Sequence, residues 1–247
     1  EPVWWIDERV REWLGEPGAA DALARSVPGD VASAMGLDLL DVADAARPHP
    51  EVVAFLADHE GDAALADHLA ELDALDGGAA FRAAFARWLD RYGARGPGEI
   101  DVTRPRFADR PDLLVPTILG HVRTLGPGEA ARRIAEGEAA AAVAAAELLD
   151  RVRALPDGEV KAAELAASIA RLRAFLGFRE HPKFAIVLRL AAYRRALTAE
   201  AERLVAAGVL RDADDACFLT FDELEAVATT GAVDLALIDR RRAEYRT

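Results

Sequence analysis

Glycine and proline residues divide this chain into helix-length segments, and that division constrains the fold more than any other feature of the sequence. Within the segments, apolar residues recur every three or four positions, as Phe81, Phe85 and Trp88 do in the segment 79–92. Alanine, leucine, glutamate and arginine dominate, and these residues favour helix. Apolar residues make up 52% of the 247 positions, which is enough for a core. The sequence therefore predicts a mainly α, irregular multi-helix fold that forms a single domain over residues 1–247.

Two of the predicted helices begin with recognisable capping residues. Asp30 is a good N-cap, and Thr220 with Glu223 resembles a capping box that starts a helix at Phe221. The residues just before it, 217–220, predict a short strand or bend. The Asp30 helix is expected to end near residue 46, and the other predicted helices cover 5–14, 21–27, 51–59, 62–75, 79–92, 111–124, 127–155, 160–176, 184–207 and 233–245.

One segment, 95–113, cannot form a regular helix, because it contains three prolines and two glycines. It has dense mixed charge and few apolar positions, so polar side-chain bonds must hold it as a structured loop. A seam in the domain is placed near 93–111. The charges of the segment 95–113 allow two interpretations. They could form an ion-paired loop, which the residue types favour, or they could contact an anion or substrate. The charged residues concerned are Arg95, Glu99, Asp101, Arg104, Arg106, Asp109 and Arg110.

The segment FREHPKFAIVLRL, residues 178–190, places two cations, a carboxylate and an imidazole just before an apolar run that predicts a buried helix. Pro182 suits the first turn of that helix, so His181 is expected near the N-cap. Arg179 and Lys183 then lie where the helix dipole disfavours cations and accepts anions. Between residues 171 and 211 there are nine Arg and Lys and three Glu, a surplus of six positive charges. A ligand contact and a basic stripe paired with acidic neighbours both stay open from the residues alone.

The composition and the missing motifs exclude several classes of function. A net charge of −13 repels phosphate backbones and anionic lipid, so nucleic acid and membrane surfaces are poor partners. The single cysteine, Cys217, allows no internal disulfide, is interpreted as a small buried hydrophobe, and fits a reduced, cytoplasmic setting. No phosphate-binding loop, nucleophile elbow or zinc motif is present. His59 and His68 lie nine residues apart and so do not share a helical turn, and no metal site is predicted.

Four stretches of the chain resemble the middle region of PEP-utilising phosphotransferases, in the rifampin phosphotransferase and phosphoenolpyruvate synthase-like branch. They are YGARGPGEIDVTRPRFADRPDLL (92–114), FREHPKFAIVLRLAAYRRALTAEAERLVAAGVL (178–210), DDACFLTFDELEAV (214–227) and VPGDVASAMGLDLLDVADAARPHPEVVAFL (27–56). The resemblance implies a largely helical substrate-binding region. In the family, that region follows an ATP-grasp domain and precedes a swivelling phospho-histidine domain, and this chain is expected to lack both.

The resemblance also implies a chemistry for the full-length parent. There, ATP is split with Mg²⁺, one phosphate travels on the mobile histidine, and AMP and phosphate are released. The acceptor is expected to be rifampin or another hydroxylated small molecule. By resemblance, Arg179 and Lys183 approach the polar edge of that acceptor, and His181 and Glu180 orient them. The chain alone is expected to hold no catalytic residue or cofactor and to transfer no phosphate, since its partners are the two other domains of the parent and the acceptor.

Two further interpretations stay open. The chain could be a non-catalytic helical scaffold or interaction domain, in which both charged clusters serve only structure. It could also belong to a true phosphoenolpyruvate synthase that acts on pyruvate. The large helical region argues against that second interpretation, because pyruvate needs no pocket of such size.

Overall fold

The computed structural model describes residues 2–245, and within them the chain forms twelve α-helices, four short 3-10 helices and no strand. This confirms the predicted mainly α class. The α-helices are α1 (Pro2–Leu14), α2 (Ala19–Leu23), α3 (Val31–Ala46), α4 (Pro50–Asp58), α5 (Leu65–His68), α6 (Gly78–Tyr92), α7 (Val115–Thr124), α8 (Glu129–Arg153), α9 (Gly158–Phe175), α10 (His181–Ala206), α11 (Phe221–Thr230) and α12 (Leu235–Tyr245). The 3-10 helices are Leu69–Ala74, Pro111–Leu114, Leu176–Glu180 and Ala213–Phe218.

The described residues divide into two compact units. The first unit comprises 2–93 and 107–185, and the second comprises 94–106 and 186–245. The chain passes from one unit to the other at three points. Two of them, 93/94 and 106/107, lie in the range 93–111, where a seam was predicted from the sequence. The third, at 185/186, lies inside α10, where no glycine, proline or polar linker marks it. The assignment of the whole chain to one domain stays a prediction.

The first unit contains two hydrophobic clusters. In one, α3 packs against α6 and α7, and Phe81 and Phe85 are fully buried at its centre. Trp88 packs in the same cluster and donates from Nε1 to the carbonyl oxygen of Met35 at 3.0 Å. The other cluster joins α1, α2, α8 and α9 around residues such as Leu165. Burial of these apolar side chains is the main stabilising term for both clusters.

The second unit has its own cluster, formed by the end of α10, α11 and α12. A buried carboxylate strengthens it. Asp215 is fully buried and accepts hydrogen bonds from Arg211 at 3.2 Å and from Arg242 at 2.7 Å. Burial acts to raise the pKa of Asp215, but the bonds from Arg211 outweigh burial, and the pKa is lowered. Asp215 therefore stays ionised and ties the 3-10 helix Ala213–Phe218 to α12.

The capping predictions are confirmed at both positions. Asp30 accepts a hydrogen bond from the amide of Ser33 at 2.7 Å at the start of α3. Thr220 and Glu223 form a complete capping box at the start of α11. Such caps involve residues within one turn of each other, so the local sequence determines them.

Three local predictions are wrong. Residues 62–75 are not one helix, because Gly61 has φ +79° and Asp62 accepts from the amide of Ala64, which makes a turn before α5. Cys217 was expected to be a buried hydrophobe, but it is exposed and lies in a 3-10 helix; of the strand or bend expected over 217–220, the structure has the bend, at Leu219.

The apolar run at the start of α10 does not form a buried helix either. Val187 and Ala191 are buried there, while Ile186 and Leu188 keep 51% and 45% of their surface exposed. Within the described residues, no helix combines the length and the apolar character that crossing a membrane requires.

Candidate functional site

The predicted ligand residues lie in the first unit, where α9 continues through the 3-10 helix Leu176–Glu180 into α10. His181 was expected near the N-cap, and α10 does begin at His181, but the preceding 3-10 helix runs directly into it. The backbone of His181 is helical (φ −62°, ψ −42°), and its amide bonds to the carbonyl oxygen of Phe178. Since that amide is already satisfied, an anion at this turn would meet side-chain cations and not the N–H group of His181.

Two contacts fix the conformation of this turn. Gly177 is buried, and a Cβ at that position would overlap the carbonyl oxygen of Pro28. The Nε2 of His181 lies 2.9 Å from the carbonyl oxygen of Gly29. Because a carbonyl only accepts, Nε2 is the nitrogen that carries the hydrogen. The ring of Phe178 packs edge-on against the His181 ring, with centroids 4.9 Å apart. The segment 28–29 thus holds the turn.

Arg179 and Lys183 are presented to solvent by this turn. The Arg179 side chain is 75% exposed, and its Nε lies 3.7 Å from Oε1 of Glu180. An ion pair of that length and exposure is weak. Lys183 is also exposed. It follows four residues later, a spacing that brings side chains to one face of a helix. The two cations can therefore approach the same anionic group.

A cavity of about 770 Å³ lies in the same unit and includes Gly29, the residue that His181 contacts, in its lining. Its other walls come from α3, α7 and α8, and their apolar members include Leu37 and Ile134. The polar side chains in the lining are Ser26, Asp30, Ser33, Asp38, Thr117, His121, Arg133 and Glu138. The lining is therefore mixed, and a pocket that combines apolar walls with converging polar groups can hold a small molecule.

His121 is the most distinctive group in this cavity. Among the described residues, its buried Nδ1 finds no hydrogen-bond partner. Burial lowers the pKa of His121, and the positive charges of Arg133 and Arg47 lower it further, so the ring is neutral at pH 7. Sequence reasoning missed His121 and Arg133 because they come from different helices and share no motif.

The charged loop 94–106 is part of the second unit and is held mainly by internal bonds. The Nε of Arg95 donates to Glu99 at 2.6 Å, and both residues are buried. Arg106 is buried as well. Asp101 accepts from the amide of Thr103 at 2.9 Å and pairs with Arg104 at 3.8 Å. Burial acts to raise the pKa of Asp101, but the bonds from Thr103 outweigh it and lower the pKa.

A smaller cavity, of about 390 Å³, lies in the second unit. Its lining is mostly apolar and includes Leu197 and Cys217. Arg194 also lines it, but its guanidinium donates to the carbonyl oxygens of Val102 at 3.2 Å and Thr103 at 2.9 Å. Although Cys217 is exposed as a residue, partial desolvation of its thiol and the nearby charge of Asp214 raise its pKa, so the thiol is a poor nucleophile at neutral pH. This cavity therefore offers less for an anionic or reacting group than the turn 176–183 does.

A family model and several known proteins are similar to this chain. The family described as the rifampicin phosphotransferase fourth domain matches residues 1–180. A rifampicin phosphotransferase of a Streptomyces species is 51% identical over 247 residues, all of this chain, and one of Bacillus subtilis is 45% identical over 241 residues, 98% of this chain. An uncharacterised protein of Mycobacterium tuberculosis is 29% identical over 168 residues, 67% of this chain and 16% of its own length. The chain spans 28% and 27% of the length of the first two relatives.

Proposed function

This chain belongs to the rifampicin phosphotransferase family, and on that premise we propose that it binds the acceptor in an ATP-dependent phosphotransferase. The acceptor is rifampin or a similar hydroxylated small molecule. ATP and Mg²⁺ are used by other parts of the full-length parent, which releases AMP and phosphate. This chain supplies binding and orientation, and it supplies no phosphate carrier.

The exposed pair Arg179 and Lys183 carries the proposal. The two cations project from a turn whose conformation is fixed by Gly177 and by the bond from His181 to Gly29. Elsewhere in the chain, arginines such as Arg95 and Arg211 form short bonds with carboxylates. Arg179, by contrast, pairs with Glu180 at 3.7 Å, and its side chain is 75% exposed. The Arg179 charge is exposed and only weakly paired, so a ligand can reach it.

The chemistry of phosphoryl transfer requires such cations. Negative charge collects on the acceptor oxygen and on the transferred group, and positioned cations stabilise it. The planar guanidinium of Arg179 can hold two oxygens at once, while the ammonium of Lys183 acts as a compact point charge. His181 contributes by holding the turn that carries both.

The adjacent cavity supports a binding role for a large acceptor. An acceptor with an apolar body and several hydroxyl groups needs apolar walls and a few polar contacts. The 770 Å³ cavity offers Leu37 and Ile134 for the apolar part, and Thr117 and neutral His121 for hydroxyl groups. We place the body of the acceptor there and its reacting edge toward Arg179 and Lys183.

The experiment that tests this proposal measures AMP release by the full-length parent with ATP and each of three acceptors. These are rifampin, pyruvate and a set of hydroxylated natural products. Arg179→Ala and Lys183→Ala are compared with Arg87→Ala, an exposed arginine of α6 that has no proposed role. We expect AMP release with rifampin, and a loss of rifampin affinity in the two site variants alone.

Other outcomes would contradict the proposal in different ways. AMP release with pyruvate alone would assign the parent to the synthase branch. Rifampin-dependent release that is equally affected in Arg87→Ala would remove the role of the cationic pair. No release with any acceptor, together with no measurable binding of rifampin, would favour a structural or interaction role for this chain.

A further inference from the structure

Two histidines that are distant in sequence meet in the first unit. The ring centroids of His59 and His68 are 5.3 Å apart, because the chain turns back at Gly61 between α4 and α5. The two histidines do not share a helical turn, as their spacing predicted, but the turn between the two helices still brings their rings together. Asp62 lies in the same turn. One donor atom from each of His59, Asp62 and His68 lies within 4.8 Å of the other two.

The hydrogen bonds of both histidines leave the correct nitrogen for a metal ion. The Nδ1 of His59 lies 2.9 Å from the carbonyl oxygen of Phe55, and the Nδ1 of His68 lies 2.8 Å from a carboxylate oxygen of Glu71. Carbonyl and carboxylate oxygens accept, so each Nδ1 carries the hydrogen. In the neutral ring, Nε2 then carries the lone pair. A histidine ligand whose second nitrogen donates to a carbonyl or carboxylate is the usual arrangement around a bound metal.

The third ligand and the surroundings suit a cation. One oxygen of Asp62 accepts from the amide of Ala64 at 2.9 Å, which leaves the other oxygen for an ion. The nearby guanidinium of Arg110 is bound to the carboxylate of Asp112 by two bonds of 2.7 Å. All three ligand residues are half-buried. The ligands are therefore reachable from solvent and still partly held by the fold.

We propose that His59, Asp62 and His68 bind a divalent transition-metal ion, Zn²⁺ being the best fit to two imidazoles and one carboxylate. Tetrahedral coordination needs donor atoms about 3.3 Å apart, so the side chains must close slightly around the ion. Half-buried side chains on a turn containing Gly61 can make that movement. The fourth position is taken by water. The bound ion ties the end of α4 to α5.

The test compares metal content and metal spectra of the full-length parent, free of a histidine tag, with those of variants. After equilibration with Zn²⁺ and dialysis, we expect one more zinc per chain in the unaltered protein than in the double variant His59→Ala/His68→Ala. Co²⁺ should give the visible absorption of a tetrahedral site only when both histidines are present. Mg²⁺, which prefers oxygen ligands, should not compete.

Two milder variants separate a metal site from a folding defect. Asp62→Asn removes one ligand charge with almost no change in shape. Glu71→Gln leaves all three ligands but weakens the orientation of His68, and we expect about a 10-fold loss in Zn²⁺ affinity. His49→Ala is the matched control, since His49 pairs with Asp76 and not with this cluster.

The opposite results would overturn the proposal. Equal zinc content in the unaltered protein and the double variant would mean that any bound zinc lies elsewhere. Zinc affinity lost equally in His49→Ala would indicate non-specific histidine binding. Circular dichroism checks that all the proteins are folded. If the unaltered protein then binds no more zinc than the double variant does, the cluster is only a hydrogen-bonded turn.

Discussion

The charged loop 94–106 and the turn 176–183 contain the same kinds of residue, but the fold uses them differently. In the loop, Arg95 is buried against Glu99 at 2.6 Å. In the turn, the side chain of Arg179 is three-quarters exposed and 3.7 Å from its nearest carboxylate oxygen. Residue type does not distinguish an arginine that is paired inside the fold from one that is left accessible to a ligand. Burial and the distance to a counter-charge do.

The largest expected effect is on the loop side of this comparison. Glu99→Ala removes the carboxylate to which buried Arg95 donates, and breaking a buried pair of this kind costs about 3–5 kcal/mol. We expect that loss in the free energy of unfolding, measured by urea denaturation. Asp101→Asn is the control, because it keeps an acceptor for the amide of Thr103 and weakens only the exposed, long pairing with Arg104, which is worth under about 1 kcal/mol. Similar losses for both variants would mean that burial does not separate these two pairs.

The turn should show the reverse behaviour. Arg179→Ala combined with Lys183→Ala should leave the free energy of unfolding within about 0.5 kcal/mol of the unaltered value, because both side chains are exposed. In the full-length parent, acceptor affinity should fall about 100-fold, since each charge-assisted bond contributes roughly 1.5 kcal/mol. The measurements are urea denaturation and acceptor titration. A large loss of stability without a change in affinity would reverse the comparison.

His181 should show an effect of both kinds, each of them small. His181→Ala removes the bond to Gly29, which contributes about 1 kcal/mol to stability. Acceptor affinity should fall as well, because the turn that carries the cations is less well fixed. Thermal unfolding and acceptor titration on the same preparation measure the two effects. An affinity loss as large as that of the cationic double variant would mean that His181 itself contacts the acceptor.

The smallest effect concerns an exposed pair outside both regions. Bonds from Arg241, together with the amide of Thr220, lower the pKa of Glu223 to about 2 from its usual value of 4.5. A lowered pKa in the folded state means that the stabilisation is complete above pH 4.5 and is lost as the pH falls toward 2. In Glu223→Gln, this part of the acid sensitivity should disappear in unfolding curves recorded between those pH values. An unchanged slope would show that solvent screens the pair entirely.

Short-range signals made much of the fold predictable from the sequence. The caps at Asp30 and Thr220 depend on residues three positions away, and the helical periods of α3 and α6 depend on one face of each helix. The segment 62–75 was predicted less well. There, Asp62 bonds to the amide of Ala64 in a turn that competes with helix, and no spacing rule indicates which one forms.

The candidate site was predictable only in part, for a related reason. Arg179, His181 and Lys183 lie within one short segment, so a family resemblance can identify them together. His121 and Arg133 reach the neighbouring cavity from separate helices, and His59 meets His68 only through a turn. Contacts of this kind depend on tertiary packing, and a single sequence contains no periodic signal for them.

The close approach of Gly177 to the carbonyl of Pro28 has a consequence for genetics. Any other residue at position 177 would have to displace the segment 28–29, which also anchors His181. If the proposed function is correct, a screen for bacteria that regain antibiotic sensitivity should recover substitutions of Gly177 alongside those of Arg179 and Lys183. Such alleles would look like mutations of a ligand residue, although glycine offers the drug no side chain at all.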